Sequence, residues 1–278
     1  MSMKWKTRSK WIAFILTVVV LLPMLFPFFV MISTMLKTMK DAYSTPPHWI
    51  PEKFIFTNFI DVWSEYQMIS HIKSSVIIAL GTTILNVLAT IPAAYAVSRL
   101  NFVGRKALLY LFLIIQMFSP VIIIISLFRF IIGIGLYDSY VSLILTMTVF
   151  TLSFTIWMMN GYFSAIPKTI EEAALIDGCT RVQTMTRIMI PIAAPGLVTV
   201  MIYTFIYAWN DFFFPLVFIQ SQEKMPLTLA LFHFVGRWST QWNYLTTATF
   251  IALIPVLLMF YLIEKQLVSG LAAGAIKE

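Results

Sequence analysis

Glu171-Glu172-Ala173-Ala174-Leu175-Ile176-Asp177-Gly178 continues through Thr180, Arg181 and Gln183 to Ile188-Met189-Ile190-Pro191. It is the longest run of polar and charged density beyond the N-terminal third, and long apolar segments flank it on both sides. A polar stretch in that setting has to be held at a membrane surface. Composition points the same way. The 278 residues are 60% hydrophobic and 11% charged, whereas a soluble domain is about a quarter charged. This is the composition of an all-α integral membrane protein.

Working outward, six segments are long and apolar enough to span roughly 30 Å of hydrocarbon. They are residues 11–33, 75–98, 107–128, 139–162, 191–220 and 243–263. The first follows basic residues 1–10. It resembles a signal peptide at its start but is too long for an h-region and lacks a cleavage site. Loops are expected at 34–73 and 221–242 on one side of the membrane. The stretch 163–190 and a tail, 264–278, are expected on the other. The 34–73 loop holds Pro46, Pro47 and Pro51, which favour extended, non-helical chain. Its Trp49 and Trp63 suit a membrane interface.

Charge sets the orientation. With the N-terminus inside, twelve Lys and Arg lie inside and seven outside, out of 19. The positive-inside rule therefore puts both termini and residues 163–190 in the cytoplasm. It also accounts for the pI near 9.5; no basic stripe with interleaved aromatics suggests nucleic acid. Cys179 is the single cysteine, so no internal disulfide forms.

Read locally, Thr169-Ile170-Glu171-Glu172 matches a capping box, and so does Thr180-Arg181-Val182-Gln183. Gly178 suits the left-handed position that closes a helix. Pro191 suits the first turn of the next one. Val182, Met185 and Met189 fall on one side of the second helix. Two short helices with a glycine elbow follow, and these features alone fit a docking element or an ordinary inner loop.

The spaced pattern Glu172-Ala173-Ala174-x3-Gly178-x9-Ile188-x-Ile190-Pro191 resembles the EAA signature of bacterial ABC importer permeases. Asp177-Gly178 and Pro195 match its carbohydrate-uptake, maltose-permease-like branch. Trp209-Asn210-Asp211-Phe212, Met225-Pro226-Leu227-Thr228 and Val268-Ser269-Gly270-Leu271-x2-Gly274-x2-Lys277 resemble that branch elsewhere along the chain. Cys179, Met185 and Ile190 depart from it conservatively.

The resemblance implies a six-helix, type I ABC importer permease fold with a core at about residues 71–265. It implies that Glu171, Glu172, Ala173, Ala174, Asp177, Gly178, Ile188 and Pro191 couple the chain to a cytoplasmic ATPase dimer. Glu172 would pair with a basic group, Ala173 and Ala174 would permit close approach, and Gly178 would allow the bend. A second, non-identical permease subunit and an extracytoplasmic solute-binding protein are the other implied partners, besides lipid. ATP and Mg belong to the partner ATPase, because this chain has no G-x4-G-K-[ST] phosphate loop and binds no cofactor of its own.

For a solute path, Asp211 is the acid best placed within a span, and intramembrane ionisable groups are functional candidates. Trp209, Asn210, Asn86, Gln116 and Asn160 are candidates to join it; interhelical hydrogen bonding is the plainer role for each. His48, His71 and His233 are scattered, and no catalytic set or metal-ligand spacing appears. An importer for amino acids, peptides or polyamines shares the fold. An ion-coupled carrier would show more buried acids and repeated halves, which are absent from this sequence.

Overall fold

The computed structural model describes residues 2–236 and 239–275. Met1, Arg237, Trp238 and residues 276–278 lie outside that description, as do the side chains of residues 2–9, Ile12 and 262–275. Arg237 of the charge tally and Lys277 of the tail pattern are thus not placed.

The described chain is helical: α1 (Ser2–Met35), α2 (Met39–Ala42), α3 (Thr57–Ser64), α4 (Met68–Arg99), α5 (Arg105–Gln116), α6 (Pro120–Gly133) and α7 (Tyr140–Ala165). There follow α8 (Lys168–Ile176), α9 (Arg181–Thr184), a π turn (Met185–Met189), α10 (Ile190–Ile192), α11 (Ala194–Asn210), α12 (Phe213–Phe218), α13 (Leu227–Leu231) and α14 (Trp242–Ala275). Four described helices are long and apolar enough to cross a membrane, and two sharply bent pairs bring the number to six.

The expected third span is one of the bent pairs: α5 and α6 meet at 95°. Ser119 breaks it by capping α6, its Oγ accepting from Val121 N at 3.4 Å, and Pro120 takes the first turn. Pro tolerates that position because its missing N–H is not needed there. The fifth span is not one helix over 191–220 either. It breaks at Asp211, and α12 follows as a separate turn-and-a-half. The expected tail is helical to Ala275. The loop 34–73 is non-helical and bent around its prolines, and α2 and α3 form within it.

The chain divides into two compact units, residues up to Met68 with Leu231–Ile254, and Ile69–Ala230 with the chain from Pro255. In the first unit, buried Asn58 donates to the carbonyls of Met35 at 2.8 Å and Lys37 at 3.0 Å. It thereby satisfies groups that the end of α1 leaves open. Asn243 Nδ2 donates to Asn58 Oδ1 at 3.1 Å.

In the second unit, α4 and α7 are joined by a buried polar ladder. Asn86 donates to Thr151 at 2.8 Å, Thr90 donates to Asn86 Oδ1 at 2.9 Å, and the Thr90 and Thr155 hydroxyls are 2.8 Å apart. Such bonds average roughly 0.6 kcal/mol in membrane helices, so the ladder fixes register more than it adds stability. Below it, Ala94, Tyr95, Ile156, Met159, Phe163 and Met189 form an apolar cluster.

At the other end of α7, Asp138 adopts φ +53° and binds the segment after α12. Its carboxylate accepts from the amides of Gln220 at 2.9 Å and Ser221 at 3.0 Å, from the Ser221 hydroxyl, and from Lys224 at 3.2 Å. Burial alone would raise this carboxyl, but these donors outweigh it and hold Asp138 well below the usual carboxylate range.

Helices α7 and α11 approach closely at Gly196, where an added Cβ would meet the Tyr162 ring at 2.4 Å. At Gly81 the obstacle is only the flexible Ile144 Cδ1, at 2.5 Å. Overpacking costs about 1–3 kcal/mol when neighbours cannot move. Gly196→Ala is expected to lower the thermal unfolding midpoint in detergent more than Gly81→Ala does. Equal midpoints would contradict this reading of the contact.

Candidate functional site

The segment between α7 and α11 folds much as a local reading suggests at one end and differently at the other. Thr180 and Gln183 form a complete capping box: Thr180 N donates to Gln183 Oε1 at 2.8 Å, and Gln183 N donates to Thr180 Oγ1 at 3.3 Å. Gly178 has φ +85°, with its N–H on Leu175 O at 3.2 Å and the Cys179 N–H on Ala174 O at 3.0 Å. That pair of bonds is the Schellman closure of α8. The first expected box does not form. Pro167 occupies the cap of α8, so Thr169 is already inside the helix and no side chain caps it. The π turn also shifts the expected apolar face. Met189 is buried, while Val182 is 65% exposed.

The expected coupling residues split into two faces. Glu172, Ala173, Asp177 and Gly178 are exposed, and Ile176 is 85% exposed. Glu171 and Ala174 turn inward, 6% and 4% exposed. Both pack against the chain's own helices, so the outer surface of α8 is formed by Glu172, Ala173, Ile176 and Asp177. Ile188 is half-buried and Pro191 exposed.

Glu171 sits in a charged cluster. Tyr95 donates to its Oε1 at 2.6 Å. Arg99 Nε is 3.4 Å from its Oε2, and Arg181 Nη1 is 3.7 Å from Oε1. Arg99 is itself buried, and its Nη2 donates to the carbonyls of Phe163 at 2.6 Å and Ile166 at 2.7 Å. A cation there meets carbonyls at the end of α7 and the negative end of its dipole. Tyr95 and Arg99 were not singled out from sequence; only their four-residue spacing near the end of a span hinted at a shared face.

The expected solute-path residues do not converge. A cavity of about 570 Å³ lies along the α5–α6 elbow against α7 and α11, lined by Gln116, Phe118, Phe150, Tyr203 and Tyr207 among others. That volume is in the range of small-molecule pockets. Of the sequence candidates only Gln116 lines it, together with Tyr203. Asn86 is committed to the α4–α7 ladder. Trp209 is buried and stacks on Phe205 at 5.7 Å. Asn210 is exposed. Asp211 caps α12 through Phe214 N at 3.0 Å, and its carbonyl accepts from Thr228 at 2.6 Å. Asn160 Oδ1 is buried without a hydrogen-bond partner. Tyr203 and Tyr207 escaped the sequence reading, although with Asp211 they repeat every four residues.

In the 34–73 segment, donor atoms of Asp41, His48 and Glu52 lie within 4.8 Å of one another. A hydrogen bond of 2.7 Å between His48 Nδ1 and Asp41 accounts for the grouping.

The two faces of α8 predict opposite responses. Ala174→Leu should overpack a buried position at a cost of about 1–3 kcal/mol. Unfolding midpoints move ~2–4 °C per kcal/mol in chains of this size, so the fall is measurable by scanning fluorimetry. Ala173→Leu should leave the midpoint unchanged. The reverse order would show that the faces are misassigned.

Residues 86–272 match the family described as binding-protein-dependent transport system inner membrane component. The chain is 34% identical over 255 residues to the inner membrane ABC transporter permease protein YcjP of Escherichia coli K12, covering 91% of each chain. It is 35% identical over 257 residues to the trehalose/maltose transport system permease protein MalG of Thermococcus litoralis, again covering 91% of each. It also superposes on a subunit of a bacterial ABC transporter involved in import of the polysaccharide alginate. There the TM-score is 0.80 at 20% identity, over 95% of this chain and 98% of that one. The bent spans, the polar segment between α7 and α11 and these matches agree: the chain belongs to the family of inner membrane components of binding-protein-dependent transport systems, with the type I ABC importer permease fold.

Proposed function

We propose that this chain is one of two non-identical permease subunits of an ABC importer for a sugar or oligosaccharide. The importer is powered by a separate ATPase dimer and loaded by an extracytoplasmic solute-binding protein. The observation that carries the docking role is the exposed face of α8. Glu172, Ala173, Ile176 and Asp177 stand clear of the chain, beside exposed Val182 and Arg181. An apolar knob of this size, rimmed by charges of both signs, suits burial in a partner's cleft. Small Ala173 lets the cleft wall come close, and Glu172 offers a carboxylate to a basic group.

The sugar assignment is supported by the trehalose/maltose and alginate transporters among the similar proteins. The lysine and arginine bias supports a cytoplasmic α8–α9 segment and cytoplasmic termini. In this arrangement the chain supplies no chemistry. Closure of the ATPase pair displaces α8, and the attached helices change which side of the membrane the path faces.

Glu172→Lys reverses charge on the exposed face without touching the buried cluster. The permease should still insert and fold, while the ATPase subunit recovered with it by affinity purification falls at least about fivefold, the lower end of ordinary coupling factors. Undiminished recovery of the ATPase would refute docking through this face. Mass spectrometry of the solute retained by the cognate binding protein tests the sugar assignment.

A further inference from the structure

We infer that Glu171, unlike its neighbour Glu172, is a positioning residue: it clamps the docking segment to the ends of α4 and α7, so that these three elements move as one body. The inference rests on the docking role proposed above and concerns the inner face of α8 rather than the outer one.

Three observations carry it. First, Glu171 is buried and its carboxylate meets groups from two other elements, Tyr95 and Arg99 of α4 and Arg181 of α9. Second, Arg99 extends the connection to α7 through the Phe163 and Ile166 carbonyls. Third, the cluster borders a well-packed apolar wall, with Tyr95 edge-on to Phe163 at 6.2 Å. A buried ion pair adds little net stability, but losing one partner strands the other charge in a poor solvent. Separation of α8 from α4 is therefore disfavoured, and displacement of α8 carries α4 and α7 with it. Arg181 is 58% exposed and its contact is the longest, so it is a lesser member of the clamp.

The test uses the assembled complex with its ATPase, a Cys179→Ser background, and spin labels at Leu88→Cys on α4 and Thr169→Cys on α8. Both sites are exposed. Distances are read by electron–electron double resonance without nucleotide and after trapping with ATP and vanadate. With Glu171 intact, one distance is expected in both states. Glu171→Gln should still bind the ATPase but show a second distance, displaced by ~2 Å or more, the scale of helix shifts in switching proteins. Tyr95→Phe keeps both charges and should broaden the distribution less; it carries the comparison if Glu171→Gln does not fold. The inference is overturned if the variants keep the single distance in both states. It is also overturned if the labelled parent changes distance, or if Glu171→Gln loses the ATPase altogether, since Glu171 would then shape docking itself. Failure of the unmodified chain to bind an ATPase would instead refute the docking proposal.

Discussion

Arg99 closes the carbonyl end of α7 and faces Glu171 at 3.4 Å, while Tyr95 holds the same carboxylate from the turn before. Much of the second unit depends on this arrangement. Packed inside protein, the last carbonyls of a helix have no water to satisfy them. The guanidinium does so, but it brings a charge that needs its own partner. Glu171 is that partner, and it fixes which side of α8 faces inward. The outward face follows as a geometric consequence, because residues one and two places along a helix point elsewhere.

The same logic of internal satisfaction recurs through the fold. Asn58 closes α1, Ser119 opens α6, Asp211 opens α12 and Asp138 gathers the segment after α12. Each is a polar residue in an apolar chain, and each is explained by backbone groups it serves. Around Gln116, Tyr203 and Tyr207 polar side chains gather on a cavity instead.

Legibility from sequence followed the range of the interaction. The Thr180–Gln183 box and the Gly178 closure involve neighbours within five residues, and they form as read. Thr169 failed because the cap position of the helix falls two residues earlier, at Pro167. The breaks at Ser119 and Asp211 were marked by polar residues, yet the 95° bend between α5 and α6 depends on packing that a linear pattern does not encode. Glu171 and Glu172 are chemically identical neighbours. What separates them is Arg99, distant in sequence, so no local reading distinguishes the clamp from the contact. For Asn86 the plainer of its two roles, interhelical hydrogen bonding, is the one it plays: it bonds Thr151 on α7 and Thr90 on its own helix.

The closures at Gly178 and Thr180 have a bearing on what a partner meets. Between them the elbow's amides and carbonyls are bonded within the segment itself: Gly178 N–H to Leu175, Cys179 N–H to Ala174, Thr180 N–H to Gln183 and back. A surface segment built this way needs no second protein to complete its backbone. Its backbone shape is held by its own residues. What a partner then meets is a preformed relief, so recognition does not carry the entropic cost of ordering a loop.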